Sequence, residues 1–582
     1  MQYPTLYTKS SSSQITDVMG GYNHNLRIGD GEFFNMKNMT SDLYPVLSPR
    51  GKRGVYATPA SPQGMIAKDQ LCYVDGTAFV IGQTRVEMGF SVEAEDCPKQ
   101  MLSMGAYVLI MPDKKWINTI APEEHGDIEA KFVSTGTVTF TLCTVTGETY
   151  KNPTVSPDEP GNPSNLDYWI DTSSTPHVLK QYSESSGMWV SIATTYVKIS
   201  AAGIGKQFEQ YDGVTISGVQ DAQMQDLNAD MVIWTKGDDY IVVAGLLDKV
   251  TTQTAAVTVT RQMPYMDHMT ESGNRIWGCR YGVSRNGETV NEIYASKLGD
   301  FKNWSCFMGI STDSYRASCG TDGPFTGAVT HMGYPLFFKE NCFHKVYGSY
   351  PANFQIQDTA CRGVQTGCSK SLAIVNELLL YKSRTGICAF DGSLPAEISS
   401  ALGSEYYSDA VAGAINNKYY VSMKDSAGQW NVFVYDTLKR MWHREDDLHA
   451  GEFCAFQNEL YCIDGERKNI ITMLGSGTKD TAPVPWEAET GEIGMASPDM
   501  KYVSRLVLRM SMDADAETDL YVQYDTDPQW LHVCNIRGTS LRSFSVPIRP
   551  RRCDHLRLKM KGTGGCRIYS ITKFITQGSD IS

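Results

Sequence analysis

The chain contains no Cys-x-x-Cys pair; its 15 cysteines are scattered from Cys72 to Cys566. A disulfide framework or a structural zinc site needs thiols at suitable spacings, so neither is expected, and the thiols read as small buried hydrophobes. Long apolar runs are also missing. The longest clean ones, such as Ile241-Val242-Val243-Ala244-Gly245-Leu246-Leu247, fall far short of the ~20 residues of a membrane helix, so no membrane span is expected. Positive charge is in deficit: 52 Lys and Arg face 65 Asp and Glu, for a net charge of −13. Such a molecule is not drawn as a whole to phosphate backbones or anionic lipid, and any nucleic-acid contact must be local. The opening Met1–Tyr7 has neither the basic nor the apolar region of a secretory signal. It predicts a protein made for the cytoplasm or for something assembled there.

Catalytic signatures are equally scarce. There is no Gly-x-Ser-x-Gly elbow and no His-Glu-x-x-His helix. Gly203-Ile204-Gly205-Lys206-Gln207 lacks the glycine spacing and the Ser/Thr of a phosphate loop, and Gly562-Thr563-Gly564-Gly565 reads as a hairpin because no βαβ pattern surrounds it. The alternation in Asp513-Ala514-Asp515-Ala516-Glu517-Thr518-Asp519 resembles a calcium loop without its central glycine and terminal glutamate. His443 and His449 flank an acidic turn, Arg444-Glu445-Asp446-Asp447, at a spacing that is poor for a metal. No metal, no cofactor and no catalytic residue is therefore expected, and the chain is read as not an enzyme. Carboxylate pairs for glycoside hydrolysis need only meet in space, ~5–9 Å apart, so the sequence leaves them open.

What is present is β-structure. With 41% hydrophobic residues the chain is expected to fold, and 582 residues suggest about four domains. Short apolar alternations bounded by Gly, Asp and Asn recur, and 31 Tyr, 20 Phe and 10 Trp supply the aromatics that strands favour. A strand, tight turn, strand unit is clearest in Leu71-Cys72-Tyr73-Val74-Asp75-Gly76-Thr77-Ala78-Phe79-Val80. Similar units start at Arg275, Pro335, Leu378, Lys418 and Glu459, the last four separated by about 40 residues. That is the ~40–50-residue period of a four-stranded propeller blade, although an open superhelical stack would share it.

The expected architecture is an all-β fold: a β-propeller of about six blades with an inserted β domain and a C-terminal β-sandwich. The boundaries are 1–60 for an N-terminal arm and ring closure, 61–120 for the first part of the propeller, and 121–268 for the insertion. The remainder of the propeller follows over 269–490, and the sandwich, of seven or eight short strands, over 491–582. In the last region Leu556, Leu558 and Met560 alternate with Arg557, Lys559 and Lys561, so one face enters a core and the other carries a basic stripe. With Arg549, Arg551 and Arg552, these are the candidate contacts for an acidic partner or DNA; a solvated strand face is the plainer alternative.

Asn23-His24-Asn25-Leu26-Arg27-Ile28-Gly29-Asp30-Gly31-Glu32-Phe33, Met36-Lys37-Asn38-Met39 and Leu47-Ser48-Pro49-Arg50 resemble the opening of the propeller-bearing tail hub, or nozzle, proteins of bacteriophages. Asn274-Arg275-Ile276-Trp277-Gly278, Ile293-Tyr294-Ala295-Ser296-Lys297-Leu298-Gly299-Asp300 with Trp304, and Val434-Tyr435-Asp436 with Trp442 are similar to phage propeller blades. The resemblance implies a virion tail component, assembled in the bacterial host cytoplasm, that forms a hexameric ring. Its partners would be further copies of itself, the portal and adaptor, other tail proteins and, transiently, genomic DNA in the exit channel. A net charge of −13 suits a channel through which DNA slides without sticking. Two alternatives remain: a receptor- or glycan-binding tail module that grips with Tyr- and Trp-rich loops, and a propeller glycosidase. For the last, the nearest sequence to a sialidase Asp-box, Ser185-Ser186-Gly187-Met188-Trp189, lacks the aspartate.

Overall fold

The computed structural model describes residues 11–92, 99–283, 287–476, 478–479, 482–495, 500–549 and 551–577; Met1–Tyr7 and Cys97 lie outside the described residues. The described chain is nearly all β, with no α-helix and only short 3-10 turns. The hairpin signals act as read: Gly76 takes φ +60° in the turn that pairs Asp75 with Ala78. No disulfide joins the described cysteines.

Among the described residues, seven successive blade-like groups of four or five strands follow one another, over 62–87, 100–127, 268–318, 327–360, 373–397, 407–444 and 450–472. The seventh draws its fourth strand from the N-terminal segment, where Gly54–Ala57 runs antiparallel to Ile470–Thr472. The expected count was about six. The difference arises because 61–127 holds two units with very tight turns, which an average period merges into fewer.

The chain divides into two compact units: Met1–Lys99 with Phe338–Phe343 and Thr359–Ser582, and Gln100–Phe337 with His344–Asp358. Within each, neighbouring blades pack face to face. In the first, Met65, Leu71, Tyr73 and Val80 share a core with Tyr461, Ile463 and Ile470, and Ile415, Tyr420 and Val434 share one with Phe453, Leu460 and Cys462. In the second, Leu109 and Met111 meet Met269 and Ile276, and Trp277 and Ile293 meet Phe325 and Phe337. This is how four-stranded blades cover the faces they cannot cover alone.

The last strand of the 100–127 blade, His125–Asp127, runs past the expected boundary at 121. Between this blade and the next, three sheets enclose one core drawn from Val138, Phe140, Ile170, Val197, Phe208, Ile241 and Val259. A buried ion pair, Arg261 Nη1 to Asp212 Oδ2 at 2.5 Å, ties the exit strand to the rest. Asn303, in the long connection of the 268–318 blade, donates to Asp212 Oδ1 at 2.9 Å and accepts from the Gly213 N–H at 2.8 Å. Glycine is required at 213, where a Cβ would meet the Ser305 carbonyl oxygen at 2.5 Å.

The C-terminal region departs from the expected seven or eight short strands. Among the described residues four long strands occupy it: Lys501–Tyr524, Leu531–Val546, Leu556–Thr563 and Cys566–Gln577. The first, 24 residues long, pairs with Leu531–Val546 along one edge; along the other it pairs first with Cys566–Gln577, then with Leu556–Thr563. The change of partner falls at Asp513–Ala516, the calcium-like run, where the pairing register shifts. The run that resembles a calcium loop is thus the bend of a continuing strand. Leu556–Thr563 pairs onward with Pro485–Thr490, then Glu32–Lys37, Gly21–Tyr22 and finally Met441–Arg444 of the 407–444 blade. The C-terminal strands and that blade form one sheet.

Candidate functional site

The six basic candidates separate into two groups. Leu556–Thr563 lies beside Pro485–Thr490 with Lys559 opposite Glu489 and Lys561 opposite Glu487. Arg557 reaches Glu489 Oε1 at 2.6 Å, Lys559 reaches Glu489 Oε2 at 3.2 Å, and Lys561 reaches Glu487 Oε2 at 3.0 Å. Aromatic faces take up more of the positive charge. The Lys559 ammonium sits 3.9 Å from the Trp530 ring centre, and the Arg557 guanidinium 4.5 Å from that of Phe34. The stripe is a cross-strand ladder of three cations on two carboxylates, the pairing that strands use to carry charge on one face.

The second group, Arg549, Arg551 and Arg552, is exposed on the connection after Leu531–Val546. The Arg549 carbonyl accepts from the Tyr524 hydroxyl at 3.0 Å; Arg551 lies 3.8 Å from Asp527 and 5.4 Å from the centre of the Tyr524 ring. All three residues are exposed and lie outside the ladder.

Glu487 and Glu489 were missed by the sequence reading. The signal is present in Trp486-Glu487-Ala488-Glu489, an alternation of apolar and acidic residues complementary to Arg557-Leu558-Lys559-Met560-Lys561. Recognising it requires knowing that strands some 70 residues apart are neighbours.

The acidic turn beside His443 and His449 also has partners other than a metal. Arg53 binds Glu445 at 2.7 Å and Asp446 at 2.8 Å, while Arg50 reaches Asp446 at 3.0 Å. Burial pushes the Asp446 carboxyl upward, but Arg53 and Arg50 outweigh it and hold the group below the usual carboxylate range. Burial, the largest influence, pulls the His443 imidazole down to about 3, and its Nδ1 has no hydrogen-bond partner. His449 instead stacks on Trp430, ring centres 3.9 Å apart. Among the described residues no group of three or more His, Cys, Asp or Glu is arranged to hold a metal ion.

The residues carrying the phage-protein resemblance are structural in a specific way. Glu32 Oε2 accepts from Asn23 Nδ2 at 2.8 Å and from the Gly29 N–H at 2.6 Å, closing the 23–31 loop. Asn38, at φ +57°, donates its backbone N–H to the Glu445 carbonyl and its side-chain amide to the Pro485 carbonyl at 2.7 Å, and it accepts from Arg50 Nε at 2.9 Å. The end of the 407–444 blade, the C-terminal sheet and the arm therefore meet at one residue.

No family model and no curated protein matches the chain. Chains in solved structures do. An exo-β-1,3-galactanase from Phanerochaete chrysosporium matches at 10% identity over 53% of this chain and 95% of that one, with a TM-score of 0.22. A GH43 glycoside hydrolase engineered for endo-xylanase and exo-arabinofuranosidase activity matches at 9% over 54% and 97%, TM-score 0.19. Trypanosoma rangeli sialidase in complex with sialic acid matches at 8% over 98% and 96%, TM-score 0.20. At these scores the likenesses assign no residue and no substrate to this chain. With glycoside hydrolases among the matched chains, the expectation that it is not an enzyme is corrected and not retained. Its physical basis was the lack of local motifs, and glycosidase carboxylates need none because they converge in space.

Proposed function

We propose that the chain is a structural component of a bacteriophage tail, a ring-forming hub or nozzle. Six copies continue the DNA exit channel below the portal and adaptor, retain packaged DNA and then release it, in a virion assembled in the bacterial cytoplasm. The observation that supports the reading is the weld at Asn38: the arm residues that resemble hub openings are those that join a blade and the C-terminal sheet into one hydrogen-bonded sheet. A channel wall must not flex between its parts, and a continuous sheet supplies that stiffness. Exposed Arg549, Arg551 and Arg552 are the contacts assigned to an acidic partner or to passing DNA.

Mass photometry of the purified protein, alone and with portal–adaptor complex, tests the proposal. A species of six copies, alone or on the complex, is expected. A monomer or trimer indifferent to the complex overturns it.

A second reading, a glycan-binding tail module, is favoured by a polar and aromatic cleft on the 268–318 blade.

A further inference from the structure

Three stretches far apart in sequence converge on one face of the 268–318 blade. The blade contributes Arg280 opposite Glu292, and Tyr294 opposite Arg316, across its strands. The turn before Lys115–Asn118 contributes Lys114, and the exit from the 100–127 blade contributes Glu129. The segment returning from the insertion lays Met263, Pro264 and Tyr265 along the edge. The next residue, Met266, packs its thioether over Gly278, where a Cβ would lie 2.0 Å from the sulfur. Together they line a cleft of about 560 Å³, within the ~300–1,000 Å³ of small-ligand sites.

Each cation in the cleft has its own carboxylate. Lys114 binds Glu129 at 2.6 Å, Arg280 binds Asp267 at 3.3 Å, and Arg316 binds Glu292 at 2.9 Å. Balanced charge gives a phosphate or sulfate no net attraction, yet the pairs leave N–H and carboxylate positions free for further hydrogen bonds. Tyr265 is 62% exposed, and Arg280 lies 4.2 Å from the centre of its ring, stiffening the aromatic platform from one side. The electron-rich face of such a ring attracts the polarised C–H groups on the apolar face of a pyranose, and the charged pairs around it offer donors and acceptors to its hydroxyls.

We propose that this cleft is a binding site for a neutral oligosaccharide, with Tyr265 as the stacking platform and Arg280, Arg316, Lys114 and Glu129 as its hydroxyl partners. The proposal rests on the glycan-binding reading and supplies its site; it does not depend on the hub reading, which native mass decides.

The test is titration of the full chain with maltotetraose, cellotetraose and chitotetraose, followed by saturation-transfer NMR, with colominic acid as an anionic comparator. Tyr265→Ala and Arg280→Ala are compared with Tyr350→Ala, a control on an exposed tyrosine outside the cleft; circular dichroism establishes that each variant is folded. At least one neutral tetrasaccharide is expected to bind. Its affinity should fall about tenfold or more in Tyr265→Ala and Arg280→Ala, stay unchanged in Tyr350→Ala, and change less than about twofold between 50 and 500 mM salt. Neutral-sugar binding that survives both cleft variants overturns this site and leaves the glycan reading standing. No binding of any neutral tetrasaccharide, or binding of colominic acid alone with steep salt dependence, overturns the site and the neutral-glycan reading together.

Discussion

A blade strand and a C-terminal strand of this protein differ in what covers them. Glu459–Asp464 is buried at every residue, and Trp430–Asp436 is buried at all but two positions. Lys501–Tyr524 alternates over most of its length, Leu506, Leu508 and Met510 buried and Arg505 and Arg509 exposed. A strand between two neighbouring blades has an apolar neighbour on both faces; one with a single covered face must carry polar groups on the other. This is why the basic stripe and its glutamates lie in the C-terminal sheet.

Truncation of adjacent residues is the strongest way to break that contrast. Phe433→Ala, which removes a ring lying between Tyr22 and Tyr407, should cost about 4 kcal/mol, and its neighbour Val434→Ala about 2 kcal/mol, in urea unfolding. A neutral Val434→Ala would show that the blade strand has a free face. In the C-terminal ladder, Glu489→Ala leaves Arg557 and Lys559, both mostly covered, without their nearest carboxylate. A loss of about 2 kcal/mol is expected, less than for a fully buried pair because solvent screens part of it.

The third effect is one of pH. The unfolded chain binds a proton on His443 below about pH 6.5, whereas the folded chain refuses it until about 3. The unfolded state therefore holds more protons in that window, and stability falls with falling pH by up to ~1.4 kcal/mol per unit from this group. His443→Gln should flatten the slope of unfolding free energy between pH 6.5 and 4; an unchanged slope would assign it to other groups. Smallest of all, Arg509→Ala, on the exposed face next to buried Leu508, should change stability by less than about 0.5 kcal/mol. A larger loss would mean that this face is covered in the protein's working form.

Much of the β content could be read locally. Asp75-Gly76 marked a hairpin, and Leu556-Leu558-Met560 correctly marked an inward face, all three being buried. The blade count and the C-terminal strands were misjudged because both depend on pairing. Gly54–Ala57 is a short stretch until Ile470–Thr472 lies beside it, and Asp513–Ala516 has the composition of a loop while serving as a bend between two partners. For the basic residues, the sequence showed which strand face they occupy. It did not show that Glu487 and Glu489 pair with three of the six and leave Arg549, Arg551 and Arg552 outside that ladder.

By itself, the sequence determined the all-β class, the hairpin turns and the inward and outward sides of individual strands, because side-chain alternation and turn chemistry act over a few residues. Tertiary structure alone decided which charges are balanced and which residues share a cleft. Lys114, Glu129, Tyr265, Arg280 and Arg316 meet only after two blades and the chain returning from the insertion have packed, and electrostatic pairing depends on distance in space, not along the chain.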